Sequence, residues 1–233
     1  WKILGLGIRD SKGNYLRQYE FYSAEMEENA VREQRVVNSM EAALANEDFT
    51  LYLQPKYDIA NNRVDGAEVL VRWLDKERGV IKPNDFIPIF ERNGFITKLD
   101  YYVWDHACAM LRRWLDSGRK VCPISVNISR VNLYNPRLAE VICGLVEKYA
   151  LPAELLQLEL TESAYANIPE LMRGTMKRLR DYGFTLLMDD FGSGYSSLNM
   201  LKDITVDVLK IDMRFLSECD TPGRGENILD SIL

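Results

Sequence analysis

Acidic and amide side chains stand at the ends of several short apolar segments, and they are the residues of this chain that could do chemistry. The clearest are Glu68, Asn127, Glu159 and the adjacent pair Asp189 and Asp190. Carboxylate and amide oxygens are the ligands that hard divalent cations prefer in proteins. If these side chains meet at one place, they form a metal site with oxygen ligands and space for two ions.

Each of these residues taken alone also has an ordinary structural explanation. A Glu near a strand end is usually a surface or ion-pairing group, and an Asn often forms a turn. Glu162 could cap a following helix, and Lys210 could be a solvated amine. The pair Asp189 and Asp190 is harder to explain in this way, because adjacent carboxylates repel each other unless a cation lies between them.

The segment after the two aspartates is rich in glycine and hydroxyl groups. Gly192 and Gly194 flank Ser193 directly after Phe191, and glycine permits backbone angles that other residues avoid. We interpret this segment as a mobile loop coupled to the metal site. Arg72 could bind a phosphate through its guanidinium fork, although a surface ion pair explains it equally well.

The scarcity of histidine and the spacing of cysteine exclude several other kinds of site. His106 is the one histidine of the chain, which excludes zinc proteases and phosphohydrolases that use several imidazoles. It lies in a helical pattern without a nucleophile motif, which favours a structural role. The four cysteines form no Cys-x-x-Cys pair and are interpreted as reduced thiols of a cytoplasmic protein.

Composition places the chain among ordinary globular proteins. It has 233 residues, 47% of them hydrophobic and 27% charged, with a net charge of −6. An acidic chain is a poor partner for DNA or RNA, because nucleic-acid binding needs basic faces that meet phosphates. No apolar run reaches the roughly 20 residues of a membrane helix, and no targeting segment opens the chain. Because residue 1 is Trp1 rather than Met, we expect a piece of a longer protein.

The elements that would position these residues alternate between short apolar strands and amphipathic helices, which predicts a parallel sheet with crossover helices. The predicted strands are 49–56, 66–73, 123–129, 156–161, 185–189 and 206–211, and the predicted helices between them include 98–117, 136–149 and 168–182. An eight-stranded α/β barrel needs about 250 residues, so the chain would supply about six of its eight strand–helix units. The pattern alone leaves an open doubly wound sheet as the alternative.

The amino-terminal part is organised differently. Residues 1–22 hold one strand-like run and a turn, which is too little for a domain. Ser23 is a good N-cap for a helix over 23–45, whose first turn carries Glu25, Glu27 and Glu28. Carboxylates there suit the positive end of the helix dipole. We interpret this helix as a connector.

Seven segments, taken together and in this order, resemble the EAL domain family of bacterial cyclic di-GMP phosphodiesterases. They are Gln54-Pro-Lys56, Glu68-Val-Leu-Val-Arg-Trp73, Pro88 within 86–91, Ser125-Val-Asn127, Glu159-Leu-Thr-Glu162, Asp189-Asp-Phe-Gly-Ser-Gly-Tyr-Ser-Ser-Leu198 and Lys210-Ile-Asp212. The resemblance covers residues 49–233. Two departures are visible: Val69 stands where the family has Ala, and the family's later strands with Glu-Gly-Val-Glu and Gln-Gly do not occur in the sequence. We therefore expect an incomplete domain.

The resemblance implies a TIM-like (α/β)8 barrel with an antiparallel first strand, incomplete in this chain. It also implies hydrolysis of cyclic di-GMP to the linear dinucleotide pGpG with Mg2+ or Mn2+. A second ion would use Asp190 together with Asp189 as the bridging ligand. The first ion would be held by four side chains: Glu68, Asn127, Glu159 and Asp189.

The resemblance implies further roles around the ions. Lys210 would orient the attacking water or stabilise developing charge, and Glu162 would steady the glycine-rich loop. Gln54 and Arg72 would contact cyclic di-GMP. The loop itself comprises Phe191, Gly192, Ser193 and Gly194.

The resemblance also implies a domain organisation and partners. Residues 1–22 would be the tail of a preceding GGDEF-like domain, 23–47 a linker helix and 48–233 the EAL domain. A homodimer is implied, in a parent protein that could be anchored to a membrane. A receptor that binds cyclic di-GMP without hydrolysis is the alternative function, and a structural partner that binds no nucleotide is a third. The retained metal ligands and loop favour the enzyme.

Overall fold

A computed structural model describes residues 23–166, 170–192 and 206–213. The expectations for residues 1–22, and for Ser193 and Gly194 of the glycine-rich loop, lie outside the described residues. The chain divides into two compact units, one of residues 1–49 with 73–93 and the other of 50–72 with 94–233.

The first unit contains the predicted connector helix, α1 (Ala24–Ala45). Its N-cap is Ser23, as predicted: the Oγ atom accepts a hydrogen bond from the Met26 N–H over 3.2 Å. Strand β1 (Phe49–Asp58) has its first residue in this unit, and strand β2 (Arg63–Asp75) has its last three residues there. The short strand β3 (Gly79–Ile81) pairs antiparallel with the end of β2.

A second helix of this unit, α2 (Pro83–Asn93), was not predicted from the sequence. It contains Pro88, and a proline inside a helix removes one backbone hydrogen bond. The helix forms nevertheless because its buried face closes an aromatic cluster, whose neighbouring ring centroids lie 5.1 to 6.1 Å apart. The cluster consists of Phe49, Trp73, Phe86 and Phe90, all nearly inaccessible to solvent.

The second unit contains the strands that carry the candidate site. Beyond β1 and β2, its elements are α3 (Ile96–Asp116), β4 (Ile124–Asn127), α4 (Arg130–Leu133), α5 (Leu138–Lys148), a 3-10 turn (Ala153–Leu155), β5 (Leu156–Thr161), α6 (Glu162–Ala166), α7 (Glu170–Tyr182), β6 (Leu186–Phe191) and β7 (Val208–Ile211). Every predicted strand and helix of this unit is present, with ends that move by a few residues. The short helices α4 and α6 were not predicted.

The strands add to the sheet one after another, in the order β1-β2-β4-β5-β6-β7. Each pair from β2 to β7 along this path is parallel. Strand β1 must run antiparallel to β2, because the four residues between them are too few for a parallel crossover. A doubly wound sheet would reverse its strand order at a switch point, and the strands of the described residues do not. The α/β class with an antiparallel first strand is therefore confirmed, and the open doubly wound alternative is wrong.

The crossover helices bury apolar faces beneath the sheet. Helix α3 contributes Trp104, Cys108 and Leu111, and helix α5 contributes Ile142 and Leu145. Strands β4, β5 and β6 are mostly buried, as expected for parallel strands with helices on their faces. None of the helices in the described ranges is long and apolar enough to span a membrane.

Candidate metal centre

Three carboxylates from three strands of the parallel sheet meet in one place. Glu68 on β2, Glu159 on β5 and Asp189 on β6 each offer an oxygen, and these oxygens lie within 4.8 Å of one another. The strand register explains the meeting. Glu68 lies mid-strand and is paired with Ser125, Asn127 is paired with Glu159, and Thr161 is paired with Asp189, so the four polar residues occupy nearby positions on adjacent strands.

Asn127 joins this group from β4. Its Nδ2 atom donates a hydrogen bond to Oε1 of Glu68 over 3.2 Å. All four residues that the resemblance assigned to the first ion are therefore neighbours. Helix α3 holds this strand end in place, because the indole Nε1 of Trp104 donates to the Asn127 carbonyl over 3.0 Å. Sequence reasoning did not single out Trp104.

Lys210 on β7 lies in the middle of the carboxylates. Its Nζ atom is 2.8 Å from Oε2 of Glu68 and 3.1 Å from Oδ2 of Asp189, and it donates a hydrogen bond to Oε1 of Glu159. Burial acts to lower the pKa of Lys210, but the hydrogen bonds to Glu159 and Glu68 outweigh burial and raise that pKa above its ordinary value. The predicted neighbourhood of Lys210 and the acidic residues is thus present.

A second lysine approaches the same carboxylates, and the sequence analysis assigned it no role. Lys56 on β1 donates a hydrogen bond to Oγ of Ser125 over 2.8 Å, and its Nζ atom is 3.7 Å from Oε2 of Glu159. Burial lowers the pKa of Lys56, and the charge of Lys210 lowers it further, against the opposing effect of Glu159. Strand alternation could have found it, since Gln54 and Lys56 are two residues apart and share one face of β1.

Glu159 is the most buried of the three acids and the best test of whether a cation fits. Its side chain has no solvent exposure. Within the described residues, its Oε2 atom has no hydrogen-bond partner. A buried carboxylate oxygen without a hydrogen bond is costly unless a cation neutralises it, and the ammonium of Lys56 is 3.7 Å away. Carboxylates of this kind beside an amide fit a hard divalent ion.

Asp190 takes a different position from its neighbour Asp189. Its backbone has a φ of 55°, in the left-handed region, and its side chain is exposed. Its N–H donates a hydrogen bond to Oδ1 of Asp189 over 2.9 Å. Its carboxylate is not part of the three-carboxylate group. The structure therefore does not bring Asp190 to the residues expected to hold the first ion.

Glu162 lies at the start of α6 and reaches the beginning of the glycine-rich loop. Its Oε2 atom accepts a hydrogen bond from the Gly192 N–H over 2.8 Å. Gly192 has a φ of 89°, which favours glycine, and Phe191 before it is buried. The structure thus connects Glu162 to the loop rather than to the carboxylates.

The two residues expected to contact a nucleotide lie on β1 and β2. Gln54 is exposed. Arg72 donates to the carbonyl of Val71 over 2.9 Å, and its guanidinium lies 5.7 Å from the centroid of the Tyr52 ring. His106 has a local contact, with Nδ1 2.9 Å from the carbonyl of Tyr102.

The family match settles what kind of domain this is. Residues 37–233 match the EAL domain. The chain belongs to the EAL domain family. The EAL match begins inside α1 and continues through every strand described above.

Named relatives of this EAL domain come from Pseudomonas aeruginosa. The cyclic di-GMP phosphodiesterase NbdA is 32% identical over 232 residues, which is 100% of this chain and 30% of NbdA. The bifunctional diguanylate cyclase/cyclic di-GMP phosphodiesterase MucR is 32% identical over 200 residues, 86% of this chain and 29% of MucR. The chain thus spans about a third or less of the length of these relatives.

A solved structure shares the fold. The PaMucR phosphodiesterase in complex with c-di-GMP superposes with a TM-score of 0.77 at 31% identity, over 85% of this chain and 80% of that one. The predicted TIM-like architecture, incomplete in the described strands, is therefore that of an EAL domain.

Proposed function

We propose that this EAL domain hydrolyses one phosphodiester bond of cyclic di-GMP and releases linear pGpG, using Mg2+ or Mn2+. The observation that carries the proposal is the convergence of Glu68, Glu159 and Asp189, with Asn127 hydrogen-bonded to them. We choose cyclic di-GMP as the substrate from the activities that the names of NbdA and MucR state and from the c-di-GMP in the PaMucR phosphodiesterase complex.

The metal ligands and Lys210 have separate roles that suit phosphodiester hydrolysis. Glu68, Asn127, Glu159 and Asp189 would hold a divalent ion, which supplies a Lewis acid for a phosphoryl oxygen and acidifies a bound water. Lys210 offers ammonium N–H donors, so it would orient the attacking water or stabilise the charge that develops on the phosphoryl oxygens. The buried Glu159 would make this part of the site the most shielded from water.

A second ion and the nucleotide would use the residues around this centre. Asp189 would bridge the two ions, and Asp190 would serve the second. Its exposed side chain and its position directly after Asp189 support that role. Arg72 would bind a phosphate group through its guanidinium fork, and Gln54 would contact the same ligand. Glu162 would hold the loop through Gly192.

Several broader expectations stay predictions. These are the preceding GGDEF-like domain over 1–22, the linker over 23–47, the homodimer, the cytoplasmic location and the choice between Mg2+ and Mn2+. Each concerns the longer parent protein or the conditions of the cell. The GGDEF–EAL arrangement is supported by the bifunctional name of MucR.

The proposal is tested by turnover and by binding. The chain, and the same chain extended to the natural carboxyl terminus of its parent, are incubated with cyclic di-GMP and Mn2+, and the nucleotides are separated by chromatography. We expect pGpG from the extended form, and chelation of the metal abolishes it. Binding without any pGpG from either form would favour the receptor, and no binding at all would overturn the proposal.

A further inference from the structure

The side chain of Lys56 crosses from one strand of the sheet to two others that are not its neighbours. Strand β1 is hydrogen-bonded to β2, whereas Ser125 lies on β4 and Glu159 on β5. Its ammonium donates to Ser125 Oγ over 2.8 Å and lies 3.7 Å from Glu159 Oε2. Ser125 and Glu159 are both fully buried. The lysine is therefore held at the inner side of the carboxylate group, with 28% of its side chain exposed.

The two oxygens of Glu159 have different surroundings. Oε1 shares the ammonium of Lys210 with Glu68 and Asp189. Oε2 has no hydrogen bond in the described part of the chain, and the ammonium of Lys56 lies 3.7 Å from it. Because the charge of Lys56 attracts Oε2, it fixes the rotation of the carboxylate and keeps Oε1 on the side of Glu68 and Asp189.

We propose that Lys56 is a positioning residue of the metal centre, which orients Glu159 and weakens the attraction of the site for a divalent cation. This inference rests on the proposed metal site. It assigns to Lys56 two effects with opposite consequences. Loss of its positive charge makes the net charge around the three carboxylates more negative, which strengthens the binding of a divalent cation. Loss of the contact with Oε2 frees the Glu159 carboxylate to rotate, which lowers turnover.

The expected signature is a split between metal affinity and turnover. Lys56→Met keeps an unbranched side chain one atom shorter than lysine and removes its charge. We expect it to bind Mn2+ more tightly, on the order of tenfold. Its turnover at saturating Mn2+ should fall by roughly tenfold, as expected for a residue that orients a metal ligand. A purely structural lysine would give weaker metal binding together with lower turnover.

Three further variants isolate the cause. Lys56→Gln keeps a donor for Ser125 without the charge, so it should reproduce the tighter binding even if Lys56→Met does not fold. Lys56→Arg retains the charge and should keep the Mn2+ affinity close to that of the unsubstituted chain. The matched control is Lys177→Met, which removes the same charge from a side chain that is 73% exposed and paired with Asp181 on α7, and its Mn2+ affinity should not change.

The measurement is isothermal titration of the 233-residue chain with Mn2+, accompanied by thermal unfolding of each variant. Turnover is measured in whichever of the two forms, the 233-residue chain or its extended version, releases pGpG from cyclic di-GMP. Unchanged or weaker Mn2+ binding in both Lys56→Met and Lys56→Gln would overturn the inference and leave the metal site intact. Absence of Mn2+ binding by the unsubstituted chain would instead overturn the metal site, and the role of Lys56 with it.

Discussion

The backbone N–H of Gly192 donates a hydrogen bond to Oε2 of Glu162 over 2.8 Å, between residues 30 positions apart in the chain. Glu162 is buried at the start of α6, and Gly192 directly follows β6. A hydrogen bond from a backbone N–H to a buried carboxylate is stronger than one between neutral groups. This bond ties the beginning of the glycine-rich loop to the body of the sheet.

Replacing Glu162 should loosen the loop without removing a metal ligand. In Glu162→Ala the Gly192 N–H loses its acceptor, which costs about 2 kcal/mol. We expect faster amide hydrogen exchange at Gly192 and lower turnover, with Mn2+ affinity little changed. Glu162→Gln keeps an acceptor oxygen, so its Gly192 exchange rate and turnover should lie between those of the unsubstituted chain and Glu162→Ala. The control is Ser163→Ala, at an exposed residue. Unchanged exchange at Gly192 in Glu162→Ala would contradict this role.

Replacing Glu68 should remove the metal centre itself. Glu68→Ala deletes a carboxylate that contacts both Lys210 and Asn127. Affinity for Mn2+ should fall by on the order of 100-fold, and metal-dependent turnover should be abolished. The control is Asp65→Ala on the same strand, because that carboxylate is 62% exposed and pairs with Arg63. Full activity in Glu68→Ala, measured as pGpG release, would refute the site.

Asp75 should make the stability of the chain depend on pH in the acid range. The hydrogen bond from the Arg78 side chain, with the N–H groups of Arg78 and Glu77, lowers the pKa of Asp75 from 3.8 to about 2. The folded state therefore favours the carboxylate. The stabilisation is complete above pH 3.8 and is lost as pH falls toward 2.

Asp75→Asn should then destabilise the chain by about 1 kcal/mol at neutral pH and by much less near pH 2. Denaturant unfolding of both proteins at the two pH values measures this difference. If the difference in unfolding free energy between the two proteins is the same at neutral pH and near pH 2, the ionisation of Asp75 does not contribute to stability.

Cys108 should be unreactive in the folded chain. It is fully buried on α3, and burial, with a smaller contribution from Asp105, raises the pKa of its thiol to about 12. At pH 8 the thiolate fraction is then on the order of 1 in 10,000. Iodoacetamide should label the half-buried Cys122 faster than Cys108, as peptide mass spectrometry would show. Labelling of Cys108 at the rate of Cys122 under native conditions would contradict this prediction.

The sequence was sufficient to locate the strands and the polar residues on them, but it left their order open between a barrel and a doubly wound sheet. Predicted strands of five to seven residues between helical stretches indicated β4 to β7, and Ser23 marked the start of α1. Parallel strands with connecting helices bring their carboxyl ends to one edge. Glu68, Asn127, Glu159, Asp189 and Lys210 could therefore be expected together before any coordinates were known.

Local propensity was misleading where burial decided the structure. Pro88 argues against a helix, yet α2 forms because Phe86 and Phe90 complete the aromatic cluster with Phe49 and Trp73. That cluster joins residues far apart in sequence. The free energy of burying these rings exceeds the cost of one missing backbone hydrogen bond.

Only the tertiary structure decided which oxygens face which cations. Asp189 and Asp190 are adjacent and chemically identical, but the left-handed φ of Asp190 leaves its side chain exposed while Asp189 joins the carboxylates. Lys56 comes from a strand that runs antiparallel to its neighbour and meets Ser125, 69 residues away, through the sheet register. Sequence patterns encode the period of a strand and the burial of its faces. The distance between side chains on different strands depends on register and backbone angles, which the assembled sheet alone sets.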